Sequence, residues 1–392
     1  MHSRFKFKAE NFEQYFLDLM EGRRKGAFER AFCDVLFIAS RFYRMAVQFR
    51  LWMYDKRVIR NHAVGCLIVS VGNINCGGTG KTPVVEVIAR TLSAQGRRVA
   101  ILSRGYRSRK RSIWFKLAHV FRSQRIELPP KIVSDGRDLL MESDYAGDEP
   151  YMLASNLRDV AVLVDKDRVK SALWAVDRFR SDVIILDDGF QYLMLKSHIN
   201  IVLVDSTNPF GNGHVLPRGI LREPIKNIRR ADYIFLTKSD GSHKLCHLKN
   251  FLRRHNRRAE IIECCHKPQH LVRMFSGGGR EPLSRLKNAR VAALSAIACP
   301  ASFEGFLEQL GAKLVLRDHY ADHHRYTQQE IIDFVNQAKA AGAEFIVTTE
   351  KDAVRIPRLD RCDVPLYYLR IQIDILSGRE SFDQCISRIC FM

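Results

Sequence analysis

A glycine-rich segment between an apolar run and a helical pattern has the residue types of a phosphate-binding site. Residues Leu67–Val71 are apolar, residues 72–82 read GNINCGGTGKT, and a helical pattern follows from Pro83. Backbone N–H groups in such a turn, together with the positive end of the helix, bind phosphate groups. The pattern therefore predicts a phosphate-binding loop in which Lys81 contacts the β- and γ-phosphates and Thr82 binds Mg²⁺.

This loop departs from the usual pattern at its first position. The strict motif has a glycine five residues before Gly80, and this chain has Asn75 there. Because asparagine tolerates left-handed backbone better than most residues, we interpret the segment as a variant phosphate loop. The alternative is an ordinary glycine-rich turn between a strand and a helix. The expected nucleotide-binding residues are Asn75, Cys76, Gly77, Gly78, Thr79, Gly80, Lys81 and Thr82.

Carboxylates after a second apolar run predict the metal side of the site. The run ends at Asp187 and Asp188. In a phosphate-loop protein, a carboxylate at the carboxyl end of a neighbouring parallel strand lies near the loop, where Mg²⁺ needs hard oxygen ligands. A later glycine- and proline-rich loop contains Arg222, which can neutralise charge on a transferred phosphoryl group, and Glu223, which can bind the metal directly or through water.

Asp148 and His323 each allow two interpretations. Asp148 lies just before a helical pattern and is suited to cap its N-terminus. His323 and His324 precede a helix for which Thr327 is the natural N-cap, and exposed histidine pairs are usually solvated. Brought together, however, a carboxylate and an imidazole can polarise an alcohol for in-line attack on phosphorus.

The composition limits the classes of protein that this chain can belong to. It has 392 residues, of which 46% are hydrophobic and 27% charged, as in folded globular proteins with two domains. The net charge of +20 indicates an anionic partner, which can be nucleic acid, an acidic membrane surface or a phosphorylated substrate. Ten cysteines without a Cys-x-x-Cys pair favour reduced thiols over a disulfide framework or a zinc site.

The first 60 residues predict a helix at a membrane surface. Aromatic and aliphatic residues between Phe28 and Tyr54 are interleaved with arginines, which is typical of an amphipathic helix in a membrane interface. The alternative is a buried helix packed on the core. The segment lacks the apolar region and cleavage site of a signal peptide, and no stretch of about 18 uncharged apolar residues predicts a spanning helix.

Alternating apolar runs and helical patterns predict the fold class. Such alternation is typical of βαβ units and a largely parallel sheet. We expect an α/β protein with a basic amphipathic leader at 1–60, a phosphate-loop NTPase-like domain with a parallel sheet at 61–275, and a smaller α/β domain at 276–392 that closes over the active site. A basic insertion, Arg107–Pro130, interrupts the alternation and is most simply a surface loop.

The motifs, in this order, resemble those of the tetraacyldisaccharide 4′-kinases of lipid A biosynthesis. The resemblance covers nearly the whole chain after residue 60. It is carried by nine segments: Val71–Asn73, Gly77–Pro83, Ser103–Tyr106, Gly147–Pro150, Asp167–Arg168, Asp187–Gln191, the loop from Gly211 to Pro224, Asp322–His323 and Thr349–Asp352. The chain departs from the family at Tyr192, where the family usually has histidine, and at Ala296–Pro300, where the family tends to have a glycine-containing turn.

This resemblance implies a particular reaction and location. The family transfers the γ-phosphoryl group of ATP, with Mg²⁺, to the 4′-hydroxyl of a tetraacylated glucosamine disaccharide 1-phosphate. The implied partners are this acylated lipid and an anionic membrane surface, and no nucleic acid is expected. The implied location is the cytoplasmic face of the bacterial inner membrane, with the protein peripheral or monotopic.

The resemblance also implies roles for individual residues. Asp148, paired with His323, matches the group that activates the hydroxyl. The other matches are Lys81 and Thr82 at the nucleotide and metal, Asp187, Asp188 and Glu223 on the metal side, and Tyr106, Arg168 and Arg222 around nucleotide or substrate phosphates.

Two other functions compete with this interpretation. The tetrapeptide Thr237–Asp240 follows an apolar strand and is similar to the sequence that reads guanine in GTPases, which suggests a GTPase or ATPase switch. The net charge of +20 suggests a nucleic-acid-binding ATPase, although the sequence contains no RNA- or DNA-binding signature. Use of GTP alone as donor would favour the first, and RNA-stimulated ATP hydrolysis the second.

Overall fold

The computed structural model describes residues 19, 26–105, 129–242, 245–275, 278–359 and 362–391. Tyr106 and most of the basic insertion that follows it lie outside the described residues, as do residues 276 and 277 and nearly all of residues 1–25.

Strands and helices alternate along the described chain. The strands are β1 (Leu67–Asn73), β2 (Val99–Ser103), β3 (Lys131–Asp135), β4 (Val160–Val164), β5 (Val183–Asp187), β6 (Ile199–Asp205), β7 (Tyr233–Thr237), β8 (Glu260–Arg273), β9 (Arg280–Glu281), β10 (Arg290–Ser295), β11 (Lys313–His319), β12 (Phe345–Thr349) and β13 (Leu366–Ser377). The α-helices are α1 (Ala27–Asp55), α2 (Lys81–Ala94), α3 (Ser143–Ala146), α4 (Asp148–Asn156), α5 (Arg168–Phe179), α6 (Cys246–His255), α7 (Pro300–Gln309), α8 (Gln328–Ala340), α9 (Glu350–Ala353) and α10 (Arg379–Phe391). Two short 3₁₀ helices span Ile225–Arg230 and Leu283–Leu286.

The chain divides into two compact units. The first comprises Met1–Lys81, Leu186–Cys264 and Ile375–Met392, and the second comprises Thr82–Ile185 and Cys265–Asp374. The chain crosses between the units within continuous elements, at the first turn of α2 and inside β5, β8 and β13. The domain boundaries expected at residues 60 and 275 stay a prediction.

A parallel sheet organises the first unit. β1 pairs with β6, β6 with β7, and β7 with the start of β8, all in parallel. Every residue of β1 and β7 is buried, without the alternation of a half-exposed strand, because a parallel sheet is covered on both faces. The carboxyl ends of these strands therefore lie at one edge, where β1 ends at Asn73, β6 at Asp205 and β7 at Thr237.

The second unit contains two groups of strands. β2 pairs in parallel with β4, and β3 pairs antiparallel with β4. In the other group β10 lies between β11 and β12, and β12 pairs with β13, again in parallel. Helix α8 begins with a capping box between Thr327 and Glu330, which confirms Thr327 as its N-cap.

A buried ionic network also belongs to the second unit. Arg370 donates through Nη1 to both carboxylate oxygens of Glu350, at 2.6 and 2.5 Å, and through Nη2 to Glu86. Asn156 donates a further hydrogen bond to Glu350 at 2.6 Å. Burial raises the pKa of Glu350, although Arg370 opposes the shift. The arginine thus compensates two buried carboxylates at once.

Replacing Arg370 by methionine should strongly destabilise the protein. The two buried carboxylates would lose their shared cation, and breaking a buried ion pair from one side costs about 3–5 kcal/mol. Urea unfolding measures the free energy change. The control is Lys339→Met, which removes an exposed pair with Asp363 and should change stability by less than about 0.5 kcal/mol. Equal effects of the two substitutions would contradict this account.

Candidate active site

The phosphate-binding loop connects β1 to α2. Its turn, at Cys76–Gly78, is exposed, and the backbone of Gly77 (φ +135°) and Gly80 (φ +75°) lies in the region that favours glycine. Asn75 does not have a positive φ angle, so the reason expected for its presence is wrong. It is instead buried, and its Oδ1 accepts a hydrogen bond from Nδ2 of Asn73 at 3.1 Å. The side chain of Asn75 therefore stabilises the loop through a hydrogen bond.

Side chains and backbone from three directions hold this loop. Asn73 Nδ2 donates to Oγ1 of Thr79 at 3.0 Å, and Oγ1 of Thr237, at the end of β7, donates to the carbonyl of Thr79 at 2.8 Å. The loop after β6 contributes two backbone bonds, from Cys76 N–H to the carbonyl of Ile220 and from Arg222 N–H to the carbonyl of Ile74. These bonds use the N–H group of Cys76 but not those of Gly77 and Gly78 in the exposed turn.

Lys81, Asp188 and Arg222 lie together beside the loop. Lys81 Nζ is 3.5 Å from Asp188 Oδ1, and Arg222 Nη1 donates to both oxygens of Asp188 at 2.8 and 2.9 Å. Burial lowers the pKa of Arg222, but the Asp188 carboxylate more than offsets this and the net shift is upward. The Asp188 side chain is 31% exposed. Two basic side chains and a carboxylate therefore lie together, partly exposed, beside the loop.

Glu223 is placed differently from Asp188. It is buried and accepts hydrogen bonds from Arg230 at 2.6 Å, Asn227 at 2.9 Å and Gln191 at 3.2 Å. The guanidinium of Arg230 also lies 3.9 Å from the centre of the Phe190 ring. Glu223 would have to exchange one of these partners to bind a metal. No three His, Cys, Asp or Glu residues of the described part of the chain are grouped as metal ligands.

The other residues expected at the nucleotide or the metal are buried at the ends of strands and helices. Asp187 is the last residue of β5, Thr82 lies in the first turn of α2, and Arg168 begins α5 behind its N-cap Asp167. The role expected for Tyr106 falls outside the described residues. The roles assigned to these residues from the sequence stay predictions.

Asp148 and His323 lie together in the second unit. His323 Nδ1 is 3.4 Å from Asp148 Oδ2. Asp148 is the first residue of α4, whose N-cap is Gly147, and no side chain caps this helix, so the capping interpretation of Asp148 is wrong. The carboxylate instead accepts hydrogen bonds from Arg355 Nε at 2.8 Å and from Arg325 Nη2 at 3.0 Å.

The arginines keep Asp148 ionised. Burial alone would raise the pKa of Asp148, but His323, Arg355 and Arg325 together lower it to about 2. Arg355 is fully buried and contacts both members of the pair, because its Nη2 also lies 3.0 Å from Nδ1 of His323. Arg355 is itself held by Asp352 and by the carbonyl of Ala296, both at 3.1 Å. The Asp148–His323 arrangement thus depends on one buried guanidinium.

Sequence reasoning missed several of these supporting residues. Arg355 follows Asp352 by three positions, which is the spacing of a helical ion pair, and this is the only local signal that the sequence offers. Thr237 was singled out only for its similarity to a guanine-reading tetrapeptide, and its contact with Thr79 joins residues 158 positions apart. Asn73 and Gln191 lie in the recognised motifs, but their bracing roles have no sequence pattern.

Comparison with known proteins assigns the chain to a family. The sequence model of the family described as tetraacyldisaccharide-1-P 4′-kinase matches residues 33–390. The chain belongs to this family. The resemblance carried by the nine motifs is therefore confirmed, and so is the expectation that the protein is an enzyme of the kinase class.

Individual members of the family agree with the assignment. The tetraacyldisaccharide 4′-kinase of Halothermothrix orenii is 33% identical over 391 residues, which cover 96% of this chain and 97% of the relative. That of Anaeromyxobacter sp. (strain K) is 40% identical over 361 residues, covering 90% and 89%. The crystal structure of the "apo" form of LpxK from Aquifex aeolicus in complex with ATP superimposes with a TM-score of 0.70 at 28% identity, over 91% of this chain and 99% of that one. The expected phosphate-loop NTPase-like α/β fold is confirmed.

Replacing Arg325 by glutamine tests the electrostatic account of Asp148. Loss of one of the two cations should raise the pKa of Asp148 from about 2 towards its ordinary value of 3.8, which carboxyl ¹³C NMR titration measures directly. A carboxylate with a lowered pKa in the folded state stabilises the fold above its unfolded pKa, and this stabilisation is lost as the pH falls towards about 2. The variant should therefore lose less stability than the wild type between pH 4 and pH 2.

Arg317→Gln is the matched control, because Arg317 is a half-exposed arginine of the same unit that pairs with Glu304 and Glu308. It should leave the titration of Asp148 unchanged. An Asp148 titration that does not move in Arg325→Gln would contradict the role given to the arginines.

Proposed function

We propose that the protein is the ATP-dependent kinase that transfers the γ-phosphoryl group of ATP to the 4′-hydroxyl of a tetraacylated glucosamine disaccharide 1-phosphate in lipid A biosynthesis. The observation that supports this most strongly is the family match over residues 33–390, which includes the phosphate loop and both carboxylate sites. The ATP complex of the related LpxK from Aquifex aeolicus favours ATP as the donor.

The first unit supplies the residues for the donor. In this proposal the N–H groups of Gly77 and Gly78 in the exposed turn cradle the phosphates, and Lys81 and Arg222 neutralise the oxygens of the γ-phosphoryl group. Phosphoryl transfer needs mainly such positioning and charge neutralisation. The permanent charge of Arg222 is held towards Asp188 by two hydrogen bonds, so its position is set before substrate arrives.

Thr82, Asp187 and Asp188 would hold Mg²⁺, because a hydroxyl and two carboxylates are the hard oxygen ligands that this ion prefers. When held by these residues, Mg²⁺ would supply positive charge that neutralises the phosphate groups. Glu223 would contribute after releasing Gln191, its longest contact at 3.2 Å. Tyr106 and Arg168 are assigned to the surrounding phosphates on family resemblance.

Asp148 and His323 would act on the acceptor hydroxyl. A carboxylate with a pKa of about 2 is a weak base in the ground state. We therefore infer that Asp148 first orients the hydroxyl and accepts its proton only as the bond to phosphorus forms, when the hydroxyl has become far more acidic. His323, whose Nδ1 is 3.4 Å from Oδ2 of Asp148, would share that proton.

The leader helix α1 would place the enzyme on the membrane. One side of α1 packs on the rest of the first unit. On this side Leu36 and Ser40 are buried, and Tyr43 Oη donates a hydrogen bond to the carbonyl of Arg222 at 3.0 Å. The opposite side exposes apolar residues three and four positions apart, with basic residues on its flanks. The exposed apolar residues are Phe28, Val35, Ile38, Phe42, Met45, Phe49 and Trp52.

The exposed side of α1 therefore fits a helix in a membrane interface, and its buried side fits a helix packed on the core. None of the described helices is long and apolar enough to cross a membrane. We infer that α1 lies on an anionic leaflet with its exposed face in the acyl boundary, at the cytoplasmic face of the inner membrane, where the lipid substrate would be reached.

Transfer of radiolabelled phosphate from [γ-³²P]ATP to the disaccharide lipid tests the reaction. Lys81→Ala should lower kcat by roughly 10²-fold or more, on the scale of a lost preorganised electrostatic contact. Lys339→Ala, which removes an exposed lysine of the second unit, should keep full activity. Near-normal turnover by Lys81→Ala would refute the donor site, and transfer supported by GTP but not ATP would favour the switch interpretation.

The exposed face of α1 can be tested separately from catalysis. The double substitution Phe42→Ser and Phe49→Ser should weaken binding to vesicles that contain anionic phospholipid by roughly tenfold or more, because two large apolar side chains no longer leave water. Co-sedimentation measures the bound fraction. Leu173→Ser, an equally exposed apolar residue on α5, should leave binding unchanged. An unaltered bound fraction for the double variant would show that this face does not contact lipid.

A further inference from the structure

A basic cavity lies beside α1 in the first unit. Its volume is about 800 Å³, which is within the size range of ligand-binding pockets. One wall is the second half of α1, and the others are the 3₁₀ helix Ile225–Arg230 and the turn that follows α6. The charged residues of the lining are four arginines and one carboxylate, namely Arg229, Arg230, Arg257, Arg258 and Asp55. The cavity therefore carries an excess of positive charge.

One buried side chain holds the backbone that carries these arginines. Asn256 Nδ2 donates to the carbonyl of Ile228 at 2.9 Å and to that of Ala231 at 2.8 Å. Its Oδ1 accepts the N–H group of Arg258 at 3.0 Å and that of Ala259 at 3.1 Å. This asparagine thus joins the turn after α6 to the 3₁₀ helix and fixes the backbone of both arginine-bearing segments.

Three of the four arginines keep their charge available to a ligand. Arg230 is paired with Glu223 at 2.6 Å. Within the described part of the chain, no ion pair neutralises Arg229, Arg257 or Arg258, and all three are exposed. Burial lowers the pKa of Arg230 below its ordinary value, Glu223 opposes the shift, and the positive charge of Arg229 adds to it. An anion in the cavity would offset this excess charge.

The cavity opens beside the exposed apolar side of α1. Gln48, Trp52 and Asp55 line it, and their spacing of four and three positions places them on one side of the helix. Trp52 also belongs to the exposed apolar residues of α1, since it is 49% exposed. Tryptophan is enriched at the level of lipid headgroups, where its ring lies between acyl chains and water. With α1 on a leaflet, the cavity therefore lies at the level of the phosphate groups.

We propose that this cavity binds the phosphate group of an anionic phospholipid, with Arg229, Arg257 and Arg258 contacting its oxygens. The planar guanidinium offers paired N–H donors that match the geometry of a phosphate. The apolar residues that border the cavity favour a lipid over nucleic acid, the other polyanion that a net charge of +20 suits. The inference rests on the proposed contact of α1 with the membrane and adds to it a site for one lipid headgroup.

Co-sedimentation of the full chain with vesicles tests the site. Vesicles of phosphatidylcholine mixed with phosphatidylglycerol should bind the wild type more tightly than vesicles of phosphatidylcholine alone. The double substitution Arg257→Gln and Arg258→Gln should lower the affinity for the mixed vesicles by roughly 20-fold or more, the scale of two arginines at an anionic surface. It should leave the affinity for phosphatidylcholine alone unchanged.

The double substitution Arg253→Gln and Arg254→Gln is the matched control. It removes the same charge from exposed arginines in the last turn of α6 that do not line the cavity. The control should lose no more than about threefold in affinity, because salt screens charges that do not contact the headgroup. Arg257→Lys with Arg258→Lys, which keeps the charge but not the paired donors, should lose part of the affinity.

Four results would each overturn the site. They are equal losses in the two glutamine variants, wild-type affinity of the double lysine variant, and displacement of the mixed vesicles by a short single-stranded RNA. The fourth is a raised KM for the acceptor lipid in phospholipid-free detergent micelles when Arg257 and Arg258 are glutamine, because the cavity would then bind the acceptor.

The vesicle measurements need neither ATP nor acceptor lipid, so they do not depend on the transfer reaction. Loss of the preference for phosphatidylglycerol in the Arg257 and Arg258 variant, without lipid phosphorylation by the wild type, would support the site and refute the proposed function. Lipid phosphorylation by an enzyme whose vesicle binding does not depend on these arginines would do the reverse.

Discussion

A phosphate-binding loop must leave its own N–H groups exposed, and the hydrogen bond from Thr237 to the carbonyl of Thr79 shows how this chain meets that constraint. A loop that satisfied its N–H groups internally would have none to offer a ligand. The loop is held mainly through its carbonyls and its side chains; Cys76 donates its N–H to the carbonyl of Ile220, whereas the N–H groups of Gly77 and Gly78 do not hold the loop. Asn73 braces Asn75 and Thr79, and β7 binds the carbonyl of Thr79. Most of the candidate nucleotide-binding site depends on these hydrogen bonds from Asn73 and Thr237.

A similar arrangement, a carboxylate between two basic side chains, occurs at both candidate carboxylate sites. Asp188 lies between Lys81 and Arg222, and Asp148 lies between Arg325 and Arg355. At Asp148 the two arginines help to lower the pKa of the carboxyl, and at both sites the ion pairs limit the motion of the carboxylate. The difference is exposure: Arg222 and Asp188 face solvent, whereas Arg355 is fully buried. Some of the basic residues that give the net charge of +20 are therefore paired with carboxylates within the protein.

The parts of the site that could be predicted from sequence are those encoded by consecutive residues. The phosphate loop, the carboxylates after β5 and the N-cap at Thr327 each have a local physical cause, and the fold class follows from alternating periodicity. The bracing contacts could not be predicted, because Thr79 and Thr237 are 158 positions apart and Asp148 and Arg355 are 207 apart. Asn75 shows the limit within a motif, since its position was recognised but its role depends on a side-chain contact.

The leader helix also has a structural connection to the chemistry. Tyr43 donates its hydroxyl hydrogen bond to the backbone carbonyl of Arg222, and the guanidinium of the same residue contacts Asp188. Gln48, one turn further along α1, donates to Asn227, which in turn donates to Glu223. On the proposed function, the helix that lies on the lipid surface is therefore joined by single hydrogen bonds to the loop that holds the phosphoryl-binding arginine. The hydrogen bonds of Tyr43 and Gln48 therefore make α1 part of the structure that positions Arg222 and Glu223.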